Sequence, residues 1–422
     1  MASSGNSHHD PYAAFRYAEY RLYIGGWFVA ILGTRIQSIA IAWEMYQRTG
    51  EALALGLVGL AQALPVMLLA IPAGYLADRF DRRRLVVLSL FSMSLTSLGL
   101  ALLSYSQGSI TLMYIVLVLD ASAVTLGRPA RTALLPQLVP TQVFPNAVTW
   151  NMSLMQIAAV VGPAIGGFVV AINVPLAYML TAISSISFMV LLMFIHFKPM
   201  AAQTGRASVR TVLAGIAFVR ENRVILAMIT LDMFAVLLGG AVYLLPIYAE
   251  DILLVGATGF GWLRAAPAVG AFVMAVSMAY LPPMQRAGRA LLFSVAGFGV
   301  ATIIFGISTS FWLSWVMLFL TGAFDNISMV IRHTLMQLLT PDQMRGRVSA
   351  VNSIFVSASN ELGGFESGLV AHWFGPVFSV VSGGIGTIIV VSLTAAAAPE
   401  LLTVGALQDT KPIEMKEEVS EA

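Results

Sequence analysis

Twelve stretches of this chain run for roughly 20 residues or more with scarcely a charge, which is the length needed to cross the hydrocarbon core of a bilayer. They cover 20–44, 52–78, 85–105, 109–131, 146–171, 175–197, 224–248, 258–281, 290–308, 311–332, 347–372 and 376–398. A segment immersed in lipid must satisfy its own backbone hydrogen bonds, so each run is predicted as a helix. The expected fold is therefore an all-α integral membrane protein. Composition excludes the soluble alternative: only 10% of residues are charged, against about 25% in soluble domains. With so few charges, a chain in water would expose large apolar patches and aggregate. No cysteine is present, which rules out disulfides, thiolate metal sites and cysteine nucleophiles. A net charge of +2, with basic residues confined to short loops, does not fit nucleic-acid binding. Met1 to Pro11 is polar and no small-residue cleavage pattern follows, so no cleavable signal peptide is expected.

Orientation follows from the basic residues. If the N-terminus is cytoplasmic, 20 of the 23 Lys and Arg residues fall in inner loops, helix ends or tails. Arg48 alone falls in an outer loop, and Arg35 and Arg264 fall inside spans. Both termini are thus expected inside, in a cytoplasmic membrane. The longest internal polar stretch, 198–223, separates two sets of six spans. The predicted organisation is a tail at 1–19, a six-helix bundle at 20–197, a linker at 198–223, a second bundle at 224–398 and a tail at 399–422. Within the linker, 209–219 reads as a short amphipathic helix lying on the membrane face.

The two bundles repeat one another. A shift of 201 positions pairs Arg131 with Arg332, Pro140 with Pro341 and Asn151 with Asn352. The same shift pairs Gly162 with Gly363 and Gly167 with Gly368. Weak internal symmetry of this kind marks duplicated transporter folds, in which the site lies between the repeats near the midplane.

Between spans two and three stands Gly74-Tyr75-Leu76-Ala77-Asp78-Arg79-Phe80-Asp81-Arg82-Arg83-Arg84. This loop resembles the signature of the major facilitator superfamily. The resemblance implies twelve helices in two pseudo-symmetric six-helix bundles. It also implies gating roles for Gly74, Asp78, Arg79, Arg82 and Arg83. Asp78 near the start of span eleven, close to Arg347, would latch the outward-open state. The equivalent second-half loop, Pro282 to Arg289, lacks the acid, so any latch is asymmetric. In span five, Gly162-Pro163-Ala164-Ile165-Gly166-Gly167 resembles the helix-bend motif of the superfamily's exporters, where small residues permit close crossing and proline bends the helix. The stretch Arg128 to Pro140 and its echo Thr340 to Val348 are similar to the transmembrane secretion effectors, the branch with enterobactin exporters and macrolide-efflux proteins. Arg128, Arg131 and Arg332 are expected to crowd the inner mouth with gating or anchoring roles.

An ionisable side chain at mid-membrane costs about 2.5–3.5 kcal/mol on insertion scales, so each needs a partner, a cavity or a proton. The candidates are Glu361 and Glu366 in span eleven, Asp232 in span seven, Asp325 in span ten and Asp120 in span four. Glu361, Glu366 and Asp232 are the proton-coupling candidates, with Glu361 first. Arg35 and Arg264 are the basic candidates for ion pairs or substrate, and Asp120 and Asp325 are expected to pair with arginines at their own helix ends. Chain-wide, no His-Glu-x-x-His, Walker-type loop or cysteine nucleophile occurs, so neither an enzyme nor an ATP-driven pump is expected. His8 and His9 lie in a polar tail and suggest no metal site. The expected function is proton-coupled export of amphiphilic small molecules, such as drugs or siderophores, by alternating access. Proton-coupled uptake and a non-transporting sensor are the alternatives. The expected partners are a small-molecule substrate, protons and the lipid bilayer, with no nucleic acid, no cofactor and a monomeric state.

Overall fold

A computed structural model describes residues 10–197, 209–282 and 284–405. The outer parts of both tails and linker residues 198–208 lie outside the described residues. A short turn, Ala13–Arg16, leads into α1 (Ala18–Thr49), α2 (Ala52–Arg79), α3 (Arg82–Tyr105), α4 (Ile110–Leu134), α5 (Phe144–Ile172) and α6 (Val174–Phe194). The predicted linker helix follows as α7 (Val209–Glu221). The second half holds α8 (Arg223–Leu238), α9 (Leu245–Ile247), α10 (Gly256–Tyr280), α11 (Ala287–Ile307), α12 (Phe311–Leu339), α13 (Asp342–Phe374), α14 (Pro376–Ala397) and the short α15 (Pro399–Thr403). Among the described residues, eleven segments are long and apolar enough to cross a membrane. The twelfth, α13, has 33 residues and packs among them against α2, α8 and α14, but carries too many polar groups to stand out by hydropathy.

Local chemistry sets the short connections. Gly50 ends α1 with φ +65°, a left-handed cap that favours glycine. Asp81 accepts a hydrogen bond from the Arg84 amide at 2.7 Å and starts α3. The seventh crossing is not one continuous α-helix. After Leu238 it tightens into a 3₁₀ turn at Gly240–Leu244, passes through α9 and finishes as a π turn at Tyr248–Ile252. Irregular backbone at membrane depth is tolerated only where protein or a cavity covers it, and this break carries Tyr243 to the centre of the bundle.

The helices run alternately, so the start of α1 and the finish of α14 share one end, the near end. At the opposite, far end, a single apolar core crosses both halves, from Trp43, Met45 and Leu55 to Leu244, Tyr248 and Phe260. At the near end there are two cores. One, around Tyr20, Leu90 and Leu134, belongs to the first half; the other, around Ile229, Leu335 and Val348, is built from the second half and α7. The bundle is therefore sealed at its far end and parted at its near end.

Glycines make the seal close. A Cβ placed on Gly167 of α5 would lie 2.6 Å from the Ala257 carbonyl oxygen and 2.7 Å from Cα of Gly261 in α10. One placed on Gly368 of α13 would lie 2.5 Å from Cα of Gly56 in α2. Gly167 and Gly368 are the pair related by the internal repeat, so the pseudo-symmetry read from the chain lies at both backbone crossings between the halves. Nearby, the Trp43 and Phe260 rings stack at 5.8 Å, and the Tyr46 hydroxyl donates to Asp251.

Candidate functional site

Two cavities open from the centre toward the parted end. The first, of about 420 Å³, is walled mainly by α1, α3 and α4 and is lined by Arg35, Gln62, Asp120, Arg128 and Arg131. Glu361 of α13 reaches it from the second half. The other, of about 230 Å³, lies within the second half and is lined by Asp232, Tyr243, Arg264, Asp325 and Asn360.

At the centre, Arg264 on α10 stands within electrostatic reach of both Arg35 on α1 and Glu361 on α13. The Tyr243 hydroxyl donates to Glu361 at 3.3 Å, and Arg264 donates to the Val242 carbonyl at 2.9 Å with its guanidinium 5.7 Å from the Tyr243 ring centre. Neither arginine forms an ion pair within 4.0 Å among the described residues. The possible Arg35 pairings with Glu361 or Asp232 are therefore absent.

Asp232 is instead paired with Arg332, and both are buried, at 5% and 8% exposure. Arg332 also donates to the Ser328 carbonyl at 3.3 Å and hydroxyl at 3.2 Å. Arg332 is thus held between α8 and α12 and lines neither cavity. Arg128 and Arg131 do line the first cavity, with Arg131 lying 3.7 Å over the Trp27 ring.

Neither Asp120 nor Asp325 has an arginine within 4.0 Å among the described residues, although Asp325 lies within electrostatic reach of Arg332 on its own helix. Asp120 accepts from Thr96 at 2.6 Å and Gln37 at 3.3 Å, and Gln37 in turn accepts from Ser97 at 2.7 Å. These neutral donors tie α1, α3 and α4 together. Asp325 forms no ion pair or side-chain hydrogen bond among the described residues and faces the second cavity beside Asp232. Glu366 lines neither cavity, and its contact is the Ser367 hydroxyl at 3.4 Å.

The signature loop is open in this state. Asp78 is exposed and unpaired among the described residues, and a Cβ on Gly74 would meet nothing within 4 Å. Arg79 donates to the Tyr75 hydroxyl at 2.6 Å and Arg83 to the Met193 carbonyl at 2.7 Å, both within the first half, while Arg82 has no partner among the described residues. The helix-bend motif works in two directions. Gly162 and Gly166 receive the side chains of Arg35 and Ile39 on α1, while Gly167 and the Pro163 carbonyl meet Gly261 across the halves.

Two polar groups escaped the sequence reading. Glu44 is buried, paired with Arg48 at 3.3 Å and hydrogen-bonded by the Tyr178 hydroxyl at 2.9 Å. Its i,i+4 spacing to Arg48 was the available signal. Asp251, the far-end partner of Tyr46, lay just beyond the predicted end of span seven, and nothing in its neighbourhood pointed across the molecule.

A twelve-helix membrane bundle, sealed at one end over a charged central cavity, is the architecture of a solute transporter of the major facilitator type. Residues 9–418 match the model of the transmembrane secretion effectors, and the chain belongs to that family. It is similar to the enterobactin exporter EntS of Escherichia coli O1:K1 / APEC, 24% identical over 376 residues that cover 89% of this chain and 90% of that protein. Among solved structures it resembles the nucleoside transporter NupG, with a TM-score of 0.71 at 11% identity over 90% of this chain and 99% of that one. It also resembles a bacterial homolog of the human lysosomal transporter Spinster in an inward-facing, occupied conformation, with a TM-score of 0.70 at 14% identity over 95% and 98% of the two chains. These relatives and neighbours are transporters, and this chain is a multi-pass membrane transporter rather than an enzyme.

Proposed function

We propose that the chain exports amphiphilic small molecules from the cytoplasm in exchange for protons, as a monomer in the cytoplasmic membrane with both termini inside. The two units, 20–197 and 224–398, rock against each other about a central site, and the linker 198–223 joins them on the cytoplasmic face. In this orientation the near end is cytoplasmic and the structure is inward-open. The observation that carries the reading is the unequal closure: one shared apolar core at the far end, two separate cores at the near end, and a charged cavity between. The family and the exporter among its relatives support the direction.

Glu361 is the first candidate for the proton carrier. It reaches the central cavity, and its hydrogen-bond partner is the neutral Tyr243. Asp232 is held by Arg332 and Glu366 lies off both cavities, so both rank behind it. Asp78 with Arg347 would latch the opposite, outward-open state.

Everted vesicles, respiring and loaded with a pH-sensitive dye, test this reading with a panel of macrolides, other amphiphilic drugs and catecholate siderophores. Expected is proton release on adding one compound class to wild type, lost in Glu361→Gln at matched expression. Release that survives Glu361→Gln moves the role to Asp232 or Glu366. Proton movement in the opposite sense means uptake by symport, and no flux of any compound from proteoliposomes would sink the transport reading.

A further inference from the structure

Resting on the transport reading above, we propose that the first cavity selects organic anions, whose acidic group is held by Arg35, with Arg264 of the second cavity in electrostatic reach, after passing Arg128 and Arg131. The argument starts from an imbalance of charge. Arg35 and Glu361 line the first cavity, and Arg264, which lines the second, lies within electrostatic reach of both: two guanidinium groups against one carboxylate. Each guanidinium offers five N–H donors. Of these, Arg264 places one on the Val242 carbonyl, and Arg35 places none on any acceptor among the described residues. Its stem is fixed instead: a Cβ on Gly162 would lie 2.5 Å from the Arg35 Cβ, so the glycine lets α5 press Arg35 into the cavity.

Asp120 does not supply the missing negative charge. It lines the same cavity, but Thr96 and Gln37 occupy both its oxygens, and among the described residues no arginine comes within 4.0 Å of it. Toward the open end, Arg128 and Arg131 follow Asp120 on α4 by 8 and 11 residues. At 1.5 Å per residue they stand about 12 and 16 Å nearer the mouth along the helix. The carboxylates lining this cavity are Asp120 and Glu361, so a solute entering from the near end meets guanidinium groups at two depths.

A guanidinium fork matches a carboxylate, sulfonate or phosphate through two parallel hydrogen bonds. The surfaces beside it are apolar: Trp27, Phe188, Met93 and Met155 line the same space. The volume of about 420 Å³ lies in the range of organic-ligand sites. An acidic group on an apolar body satisfies both features, whereas a cationic amphiphile would meet guanidinium groups at both depths.

The test exploits the absence of cysteine from the natural chain. Ser38 lines the cavity one turn from Arg35, so Ser38→Cys in the full-length protein provides a single reporter thiol. It is labelled with a matched pair of methanethiosulfonates, one ending in sulfonate and one in trimethylammonium. Their rate ratio is compared with that of a free thiol in solution. A ratio favouring the anionic reagent by about tenfold or more is expected, equivalent to about 1.4 kcal/mol. Arg35→Gln should remove most of that preference and Arg35→Lys should keep most of it. A second readout is protection by 2-naphthoate but not by the isosteric 2-naphthylmethylammonium. A ratio near unity, a ratio favouring the cation, or a ratio untouched by both Arg35→Gln and Arg264→Gln overturns the proposal while leaving transport in place. Retained anion preference with no flux of any solute removes the transport reading and leaves the anion site.

Discussion

Adding one methyl group at Gly167 or Gly368 should tip the protein away from the far-end-closed state. In this state a Cβ on Gly167 would overlap the Ala257 carbonyl and Gly261 Cα at 2.6 and 2.7 Å, and one on Gly368 would overlap Gly56 Cα at 2.5 Å. The opposing atoms are backbone in rigid helices, so no side chain can swing aside. Overpacking of this kind costs about 1–3 kcal/mol. Alanine also gains up to about 1 kcal/mol of helix propensity over glycine, but that gain is common to both conformations and cancels in the equilibrium between them. The net penalty therefore falls on the closed contact and should shift the population about 5- to 150-fold toward far-end opening. An impermeant maleimide applied from either face to Ser38→Cys in this naturally cysteine-free chain reads the shift directly. Gly167→Ala and Gly368→Ala should each raise far-side labelling and lower near-side labelling. Gly25→Ala is the control: it lies on the exposed face of α1 and a Cβ there meets nothing within 4 Å, so the equilibrium should be unaffected. If both alanine variants keep wild-type sidedness, or Gly25→Ala shifts it as strongly, the glycine crossings are not what seals the far end.

Further measurements probe the other contacts. Asp232→Asn leaves Arg332 charged and buried without its partner, which should cost about 3–5 kcal/mol and lower the melting temperature; Asp232→Leu with Arg332→Met should recover most of the loss. Tyr46→Phe removes a hydrogen bond to Asp251 across the halves, worth about 1.5–3 kcal/mol when the acceptor is charged, so far-side labelling should rise at least several-fold while the fold is retained. Glu44→Leu strands Arg48 and the Tyr178 hydroxyl in the first half, and should destabilise without changing the sidedness of labelling. Export of a monoanion in exchange for one proton carries two charges, so collapsing a 100 mV inside-negative potential should remove about 4.6 kcal/mol of driving force and slow naphthoate efflux in proteoliposomes.

The helices were legible because lipid demands long apolar runs, and eleven of the twelve crossings stand out on hydropathy alone. The twelfth, α13, was legible only as an apolar run interrupted by Asn360, Glu361 and Glu366, the same residues that make it interesting. Ion pairs were not legible, and the reason is geometric. In a soluble helix an apolar stripe reveals which face turns inward, but a membrane helix is apolar toward lipid and protein alike, so its rotation is hidden. Asp232 and Arg332 lie 100 positions apart on helices whose facing sides no periodicity marks, and Arg332 read equally well as a residue of the mouth. Glu44 was lost differently. It sits near the finish of α1, where a charged residue looks like the border of a span, although the helix continues to Thr49 and the side chain is buried.

The repeat and the charges divide the labour between the halves. Glycines related by the repeat, Gly167 and Gly368, lie at the two backbone crossings, so sealing is symmetric. The polar chemistry is not. The first half turns Arg35, Arg128 and Arg131 toward the cavity with Asp120 as its only carboxylate there, while the second half contributes Glu361 and keeps Asp232 beside Arg332. In the proposed rocking motion, a symmetric seal lets the two units swing about one axis. An asymmetric charge distribution lets a bound solute or proton bias that swing, because only a ligand that interacts unequally with the two states can shift their balance. Equal charges on both walls would bind a solute without distinguishing the units. The inequality at Arg35, Arg264 and Glu361 is thus the point at which binding energy can become motion.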